Sequence, residues 1–252
     1  NNDNWPDLYI SNDFYEHDYY YINNRNGTFT ESVKQQMGHH SYAAMGADLA
    51  DINNDGYLDL FVTDMLPRDE KHLKQVTSYD TYDLYELKLM RDYHHQITQN
   101  ALQLNNGNGT FSEIARLAGV DATDWSWGAL LFDMDNDGWK DIFVSNGIAR
   151  DLTDIDFLKF LSDETQRIQQ KGNNKIDFDE MINQMPVRPL DNYVFQNNRD
   201  LTFTEKPEWG LKGPGFSSGA AYGDLDNDGD LDMIVNNVND IASVYKNSAS
   251  DR

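Results

Sequence analysis

The stretch DINNDGYLD, Asp51 to Asp59, packs like charges and turn formers between two apolar segments. The same spacing returns as DMDNDGWKD (Asp133–Asp141) and DLDNDGDLD (Asp224–Asp232). NNDNWPD (Asn1–Asp7) reads as the tail of a fourth copy, with Asp3 and Asp7 at its fifth and ninth places, so the chain opens inside a loop. Aligned on the fifth position, Asp3, Asp55, Asp137 and Asp228 lie 52, 82 and 91 residues apart. A second landmark orders these spacings. NGTF at Asn26–Phe29 and Asn108–Phe111, and DLTF at Asp200–Phe203, precede the loops by 28, 28 and 27 residues, counted from Gly27, Gly109 and Leu201. The other half of the unit takes up all the variation, at 24, 54 and 64 residues. The unit is thus about 50 residues long, with two insertions at one equivalent connection.

Each unit reads as short strands. SYAAMGADLAD, DWSWGALLFD and FSSGAAYGD precede the loops. YLDLFVTD, WKDIFVSN and DLDMIVNN follow them, as PDLYISND does in the partial unit. Leu58, Leu60 and Val62 alternate with Asp59, Phe61 and Thr63, the period of a strand. YYYINN, ALQLNN, NYVFQNN and ASVYKN come next, and the TF strand closes the unit. About four strands per repeat predicts an all-β fold, a β-propeller of four-stranded blades. The insertions, at about 66–98 and 149–190, read as helical. Ile155, Leu158, Leu161 and Ile168 fall near one face, and Phe178, Met181, Ile182 and Met185 make a second stripe. Asp177 and Glu180 read as a capping pair and Pro186 as a stop. Packing against the propeller rim is the expected role of both stripes.

The loop chemistry points to a hard cation. Oxygen side chains come at position 1 (Asp51, Asp133, Asp224), position 3 (Asn1, Asn53, Asp135, Asp226) and position 5 (Asp3, Asp55, Asp137, Asp228). Gly at position 6 permits a sharp turn. Position 7 (Tyr57, Trp139, Asp230) offers a carbonyl, and position 9 (Asp7, Asp59, Asp141, Asp232) closes the cage. Ca²⁺ takes six to eight oxygens, whereas Mg²⁺ keeps waters, so the expectation is about one Ca²⁺ per loop. An EF-hand is excluded, because the twelfth position holds Val62, Val144 or Val235 where that loop needs Glu. A solvated Asp/Asn/Gly turn accounts for one copy but not for the repetition in register.

Composition agrees. The chain of 252 residues carries a net charge of −23, which argues against nucleic acid and anionic membrane surfaces as partners. No cysteine is present, which excludes disulfides and Cys-based zinc sites. No apolar run reaches the roughly 18 residues of a membrane span.

These residues resemble the FG-GAP/VCBS repeats of integrin α-subunit propellers and of many bacterial surface proteins. ADINNDGYLDLFVTDMLP, NNGNGTF and TDWSWGALLFDMDNDGWKDIFVSNG are similar to VCBS-repeat proteins that often carry an ASPIC/UnbV region. The integrin-type Phe-Gly is replaced by Met45-Gly46, Trp127-Gly128 and Ser218-Gly219. The resemblance implies a ring of about seven blades, of which residues 1–252 supply three repeats and a partial one. It also implies an exported or cell-surface location, in bacteria as a secreted protein or outer-membrane lipoprotein, in some cases beside Sus-type nutrient importers. It carries no catalytic residues.

Other candidates are weaker. His39-His40 and His94-His95 are adjacent pairs whose rings diverge, so surface polar contact is their default role. Trp125 and Trp127 share a strand face, suited to core packing or a sugar site, and at least one of Tyr19, Tyr20 and Tyr21 belongs in the core. No nucleophile elbow, P-loop or zincin motif occurs. The expected function is a noncatalytic, calcium-stabilised surface module that contacts a protein or glycan, with a Sus-type uptake accessory as a variant. The alternatives are a propeller polysaccharide lyase or hydrolase, and a structural spacer.

Overall fold

A computed structural model describes residues 1–14, 16–76, 81–171, 178–211 and 213–249, apart from the side chains of residues 170 and 171. Four small antiparallel sheets follow one another along the chain, each with strands in sequence order. Sheet one holds β1 (Leu8–Ile10), β2 (Tyr19–Asn23) and β3 (Phe29–Glu31). After α1 (Val33–Gln36) and β4 (His40–Ser41), sheet two begins with β5 (Ala47–Ala50) and β6 (Asp59–Val62). The first insertion supplies α2 (Glu70–Leu73), α3 (Tyr82–Met90) and β7 (Gln96–Ile97), and β8 (Ala101–Asn105) and β9 (Phe111–Glu113) complete the sheet. Sheet three, after α4 (Ala115–Ala118), is β10 (Ser126–Phe132), β11 (Asp141–Asn146), β12 (Tyr193–Asn197) and β13 (Phe203–Glu205). The second insertion, α5 (Ile155–Lys171) and α6 (Phe178–Gln184), leaves it between β11 and β12. Sheet four is β14 (Ser217–Gly223), β15 (Asp232–Asn237) and β16 (Ser243–Tyr245). The acidic loops join β5 to β6, β10 to β11 and β14 to β15, as the repeat predicts.

The sheets stack face to face, and the core lies between them rather than inside any one. Tyr20, Val33, Leu60, Val62 and Ala101 fill the first gap, with Tyr9 and Ile22 packed against them. Phe61, Leu102, Leu131, Ile142, Val144 and Phe195 fill the second. Phe132, Phe143, Val194, Met233 and Val235 fill the third. The alternation along β6 therefore separates two cores, not core from solvent, and Asp59 to Val62 are buried throughout. Leu60 and Val62 face sheet one while Phe61 faces sheet three. Tyr20 is the buried member of its tyrosine run. Trp125 and Trp127 are half-buried with ring centroids 6.1 Å apart, and Trp127 Nε1 donates to Gly147 O at 2.8 Å.

The helical stripes depart from expectation. Phe157 is the buried anchor of α5, while Ile155 is exposed. On α6 no residue is buried, and Phe178 is 65 % exposed. Met181 lines one small cavity together with Phe160, Leu161 and Ile168 of α5. Asp177, half of the expected capping pair, lies outside the described residues.

Both insertions are latched together by charge. His72 on α2 is buried, its Nδ1 2.8 Å from Asp124 Oδ1 and its Nε2 3.8 Å from Asp151 Oδ2. Arg188 Nε donates to Asp151 Oδ2 at 2.6 Å and its terminal nitrogen to Asp154 Oδ2 at 2.9 Å. Backbone bonds such as Ile155 N–H to Gln75 O, 2.9 Å, complete the join. The hydrogen bond to Asp124, with the Asp151 carboxylate 3.8 Å from the other ring nitrogen, pushes the His72 imidazole up to about 9. A raised imidazole stabilises the fold fully below its unfolded value of about 6.5 and loses that stabilisation as pH climbs through 9. The expected result is a stability loss on the order of 3 kcal/mol between pH 7 and pH 10, from the 1.36 kcal/mol that each pKa unit represents. Urea midpoints across that range should show the slope in the native protein and its absence in His72→Gln.

Candidate metal centres

Each acidic loop is a self-bonded turn. Asp51 Oδ1 accepts from Asp55 N–H at 3.1 Å and its Oδ2 from Gly56 N–H at 2.8 Å. Asp133 does the same for Asp137 and Gly138, at 3.0 and 2.8 Å. Such closure demands left-handed backbone at positions 4 and 6. Asn54 and Gly56 have φ of 57° and 88°, Asn136 and Gly138 of 58° and 88°. Asn and Gly tolerate that region where β-branched residues do not.

The ninth residue anchors the loop to its sheet. Asp59, Asp141 and Asp232 are buried. Each accepts from the amide of position 2, namely Ile52, Met134 or Leu225, at 3.0 Å. The second oxygen accepts from the amide of Asn105 at 2.8 Å, Asn197 at 2.9 Å and Asn247 at 2.8 Å; Asn23 serves Asp7 at 2.9 Å. These Asn side chains also donate to the carbonyl at position 8, such as Lys140 O at 3.0 Å. Burial pushes Asp59 up to about 6 and Asp141 up to about 7, with the neighbouring loop carboxylates adding to the rise. Among the described residues no cationic side chain pairs with Asp59 or Asp141, so an anion held there lacks a counter-charge.

Positions 1, 3 and 9 converge. Asp133, Asp135 and Asp141 bring carboxylate oxygens within 4.8 Å of one another, as do Asp224, Asp226 and Asp232. Among the described residues, Asp135 Oδ1 is buried with no hydrogen-bond partner, while its Oδ2 takes Gln196 Nε2 at 2.6 Å. A buried, unpaired carboxylate oxygen beside two further carboxylates fits a cation. An all-oxygen donor set fits a hard one. Loop two has the same frame with Asn53 at position 3, and loop one offers Asn1, Asp3 and Asp7.

The fifth position behaves otherwise. Arg199 donates to Asp137 Oδ2 at 2.6 Å and Arg25 to Asp3 Oδ2 at 2.7 Å. Lys246 bonds Asp226 and lies 3.2 Å from Asp228 Oδ2. Asp55 Oδ2 accepts from Asn53 Nδ2 at 2.9 Å. The second oxygens of Asp55, Asp137 and Asp228 accept the amides of Tyr57, Trp139 and Asp230, at 2.8, 2.9 and 3.0 Å. The expected ligand set is thus divided, with positions 1, 3 and 9 together and position 5 drawn toward a basic side chain or an amide, although in loop four Lys246 also takes the position 3 carboxylate of Asp226. The spacing of the acidic loops does not show these basic partners, although the recurrent Asn-Asn-Arg at Asn23–Arg25 and Asn197–Arg199 marks two of them.

Neighbouring loops also touch. Asn2 Nδ2 donates to Gly56 O at 2.7 Å, Asn54 Nδ2 to Gly138 O at 3.2 Å, and Asn136 Nδ2 to Asp230 Oδ1 at 2.5 Å. The fourth position of loops one, two and three thus reaches the next loop in the stack. Asn136→Gly keeps the left-handed backbone and deletes one rung. Denaturant unfolding should show about 1–2 kcal/mol lost, mostly because Asp230 loses a partner in a buried setting.

Sequential antiparallel sheets, three of them with a carboxylate-rich loop between their first two strands and the first with such a loop before β1, define a repeat protein with candidate cation sites in its loops. The FG-GAP-like repeat pattern matches residues 1–62, 91–144 and 185–235, and the chain belongs to that family. The internal gaps in the match hold most of the two helical insertions. No curated protein matches the chain.

Proposed function

We propose that this chain is a calcium-stabilised, noncatalytic propeller segment that serves as an extracellular or cell-surface binding module for protein or glycan. The observation that carries it is the orphaned Asp135 carboxylate oxygen inside a cage that recurs from sheet to sheet. Loops that collect negative charge and leave part of it unpaired suit a compartment where Ca²⁺ is millimolar. Ca²⁺ is preferred over Mg²⁺ because two or three protein carboxylates plus an amide or carbonyl oxygen exceed what Mg²⁺ takes from protein.

The ring reading is supported by the outer faces. Leu8, Ile10 and Phe29 on sheet one are exposed beside the stacked Tyr19 and Tyr21, and Ile234 and Val244 on sheet four are exposed. Faces of this composition suit further sheets, as in a ring of about seven blades. The helical insertions present the variable surface for a partner. Association with ASPIC/UnbV-type proteins and with a Sus-type outer-membrane transporter is the variant that rests on resemblance alone.

The test pairs two measurements. Calorimetry with Ca²⁺ and Mg²⁺ should give saturable Ca²⁺ binding, with one site lost in Asp133→Asn/Asp135→Asn. Arrays of polysaccharides and surface proteins should then give retention without turnover. Cleavage of an arrayed polysaccharide, with new reducing ends or unsaturated sugars, would overturn the noncatalytic reading in favour of a lyase or hydrolase.

A further inference from the structure

Sheets one, two and three close on the same run of residues. Thr28-Phe29-Thr30-Glu31, Thr110-Phe111-Ser112-Glu113 and Thr202-Phe203-Thr204-Glu205 lead into β3, β9 and β13. The register is shared as well, with Phe29 opposite Asn23, Phe111 opposite Asn105 and Phe203 opposite Asn197. In sheets two and three the phenylalanine packs back toward the preceding sheet. Phe111 stands edge-on to Tyr20 across the first gap, ring centroids 5.6 Å apart. Phe203 belongs to the core of the second gap, with Ala115, Ala118 and Val120. In sheet four the outermost strand is β16, and among the described residues no strand pairs with its free edge.

The third gap is open at the corresponding place. A cavity of about 730 Å³ lies there, lined among others by Met134, Trp209, Leu211, Met233 and Tyr245. Two glycines mark the equivalence. Gly119 caps α4 after β9, and Gly210 caps the short turn Pro207–Trp209 after β13, both in left-handed backbone with φ of 78° and 82°. A Cβ on Gly119 would meet Phe203 O at 3.8 Å, whereas a Cβ on Gly210 would have nothing within 4 Å. Ala118 and Val120, on either side of Gly119, are buried, while Trp209 and Leu211, on either side of Gly210, are half-buried. The wall that holds Phe203 in the second gap is thus repeated in the third, facing open space.

The edge of β16 offers the matching backbone groups. Tyr20 N–H and Leu102 N–H donate to the closing strand at Glu31 Oε1 and Glu113 Oε1, at 3.4 and 3.1 Å. The carbonyls of Tyr20, Leu102 and Val194 accept from Ser32, Ile114 and Lys206, at 2.8, 2.9 and 2.9 Å. Val244 holds this place in β16, counted back from Asn247 as Tyr20, Leu102 and Val194 are from Asn23, Asn105 and Asn197. An unpaired edge is a template for a further strand.

We infer that the free edge of β16 and the cavity beside it form an acceptor groove for an extended segment of another chain, of the type Thr-Phe-Ser/Thr-Glu. The segment pairs antiparallel, with its Phe opposite Asn247, its hydroxyl residue opposite Lys246 and its Glu opposite Tyr245. The Phe ring enters the cavity against Trp209 and Leu211, and the Glu carboxylate accepts the Val244 amide. The groove continues the core of the third gap, and the first two gaps complete that same interface with such a strand. Main-chain bonds supply affinity and the aromatic pocket supplies selectivity. The contact uses neither a bound ion nor the helical insertions.

The test uses the whole chain and, as probe, a fluorescent octapeptide copied from residues 108–115, NGTFSEIA. Anisotropy should show saturable one-to-one binding. The same peptide with Phe111→Ala should bind at least tenfold more weakly, because the burial of an aromatic ring is lost. Val244→Pro removes the edge amide at an exposed position, where an edge strand tolerates proline, so melting should be kept while peptide binding falls at least tenfold. Labelled peptide should show NOE contacts from its Phe ring to the Leu211 methyl groups. No saturation by about 1 mM peptide, equal binding of the Ala peptide, or undiminished binding to Val244→Pro would overturn the assignment. So would a concentration-dependent dimer that excludes the peptide, which gives the groove to a second copy of the chain.

Discussion

Chelating divalent ions from the calcium-loaded protein is expected to lower its melting temperature by on the order of 10–20 °C. In loops three and four, carboxylate oxygens from three Asp residues lie within 4.8 Å of one another. At an effective dielectric near 20, each such pair repels by about 3 kcal/mol, and a divalent ion reverses the sign. Ca²⁺ at about one hundred times its Kd stabilises the native state by about 2.7 kcal/mol per site. For a chain of this size, 1 kcal/mol moves Tm by about 2–4 °C, so two filled loops account for the shift. Differential scanning calorimetry with Ca²⁺, with Mg²⁺ and with chelator decides it. A transition at the same temperature in chelator and in Ca²⁺ would refute the metal reading for the loops.

The largest effect of a single substitution is expected at Asp141. Its carboxylate accepts from Met134 N–H and Asn197 N–H, at 3.0 and 2.9 Å, and so joins the acidic loop to the next strand pair. Asp141→Ala leaves two donors without acceptors in a buried setting, each costing about 1–3 kcal/mol, and removes a metal ligand. A loss of about 3–5 kcal/mol is expected in Ca²⁺, read from urea midpoints. Asp141→Asn keeps the shape but turns an NH₂ toward a backbone N–H, so it should destabilise less. Because burial already holds the metal-free carboxyl up near 7, the Asn variant should cost more in Ca²⁺ than in chelator. Asp137→Asn is the contrast. That carboxylate is tied to Arg199, a surface pair worth at most about 1 kcal/mol, so stability should barely move.

The parts of this protein that were legible in the sequence are those made within a few residues. The loop turn was one, since Asp51 closes on Asp55 and Gly56 and the left-handed positions are Asn and Gly. The strands on either side were another, as was the single connection that takes both insertions. The division of the ligands was not legible. Arg199 meets Asp137 across 62 positions, and Asn136 meets Asp230 across 94. The α6 stripe predicted a buried face, and in the structure Phe178 and Ile182 of that stripe are exposed, because period alone does not say whether a neighbour stands opposite.

The sequence by itself determined the repeat, the loop turns and the strand order, because short-range hydrogen bonds and side-chain period act within one unit. Only the tertiary structure decided which face of β6 meets which core, which carboxylates converge and which are drawn to cations, and that His40 of β4 is buried where its strand pairs with β7. The reason is that period tells where a side chain points along its own strand. What stands opposite is set by the stacking of sheets and by insertions that bring distant residues into contact.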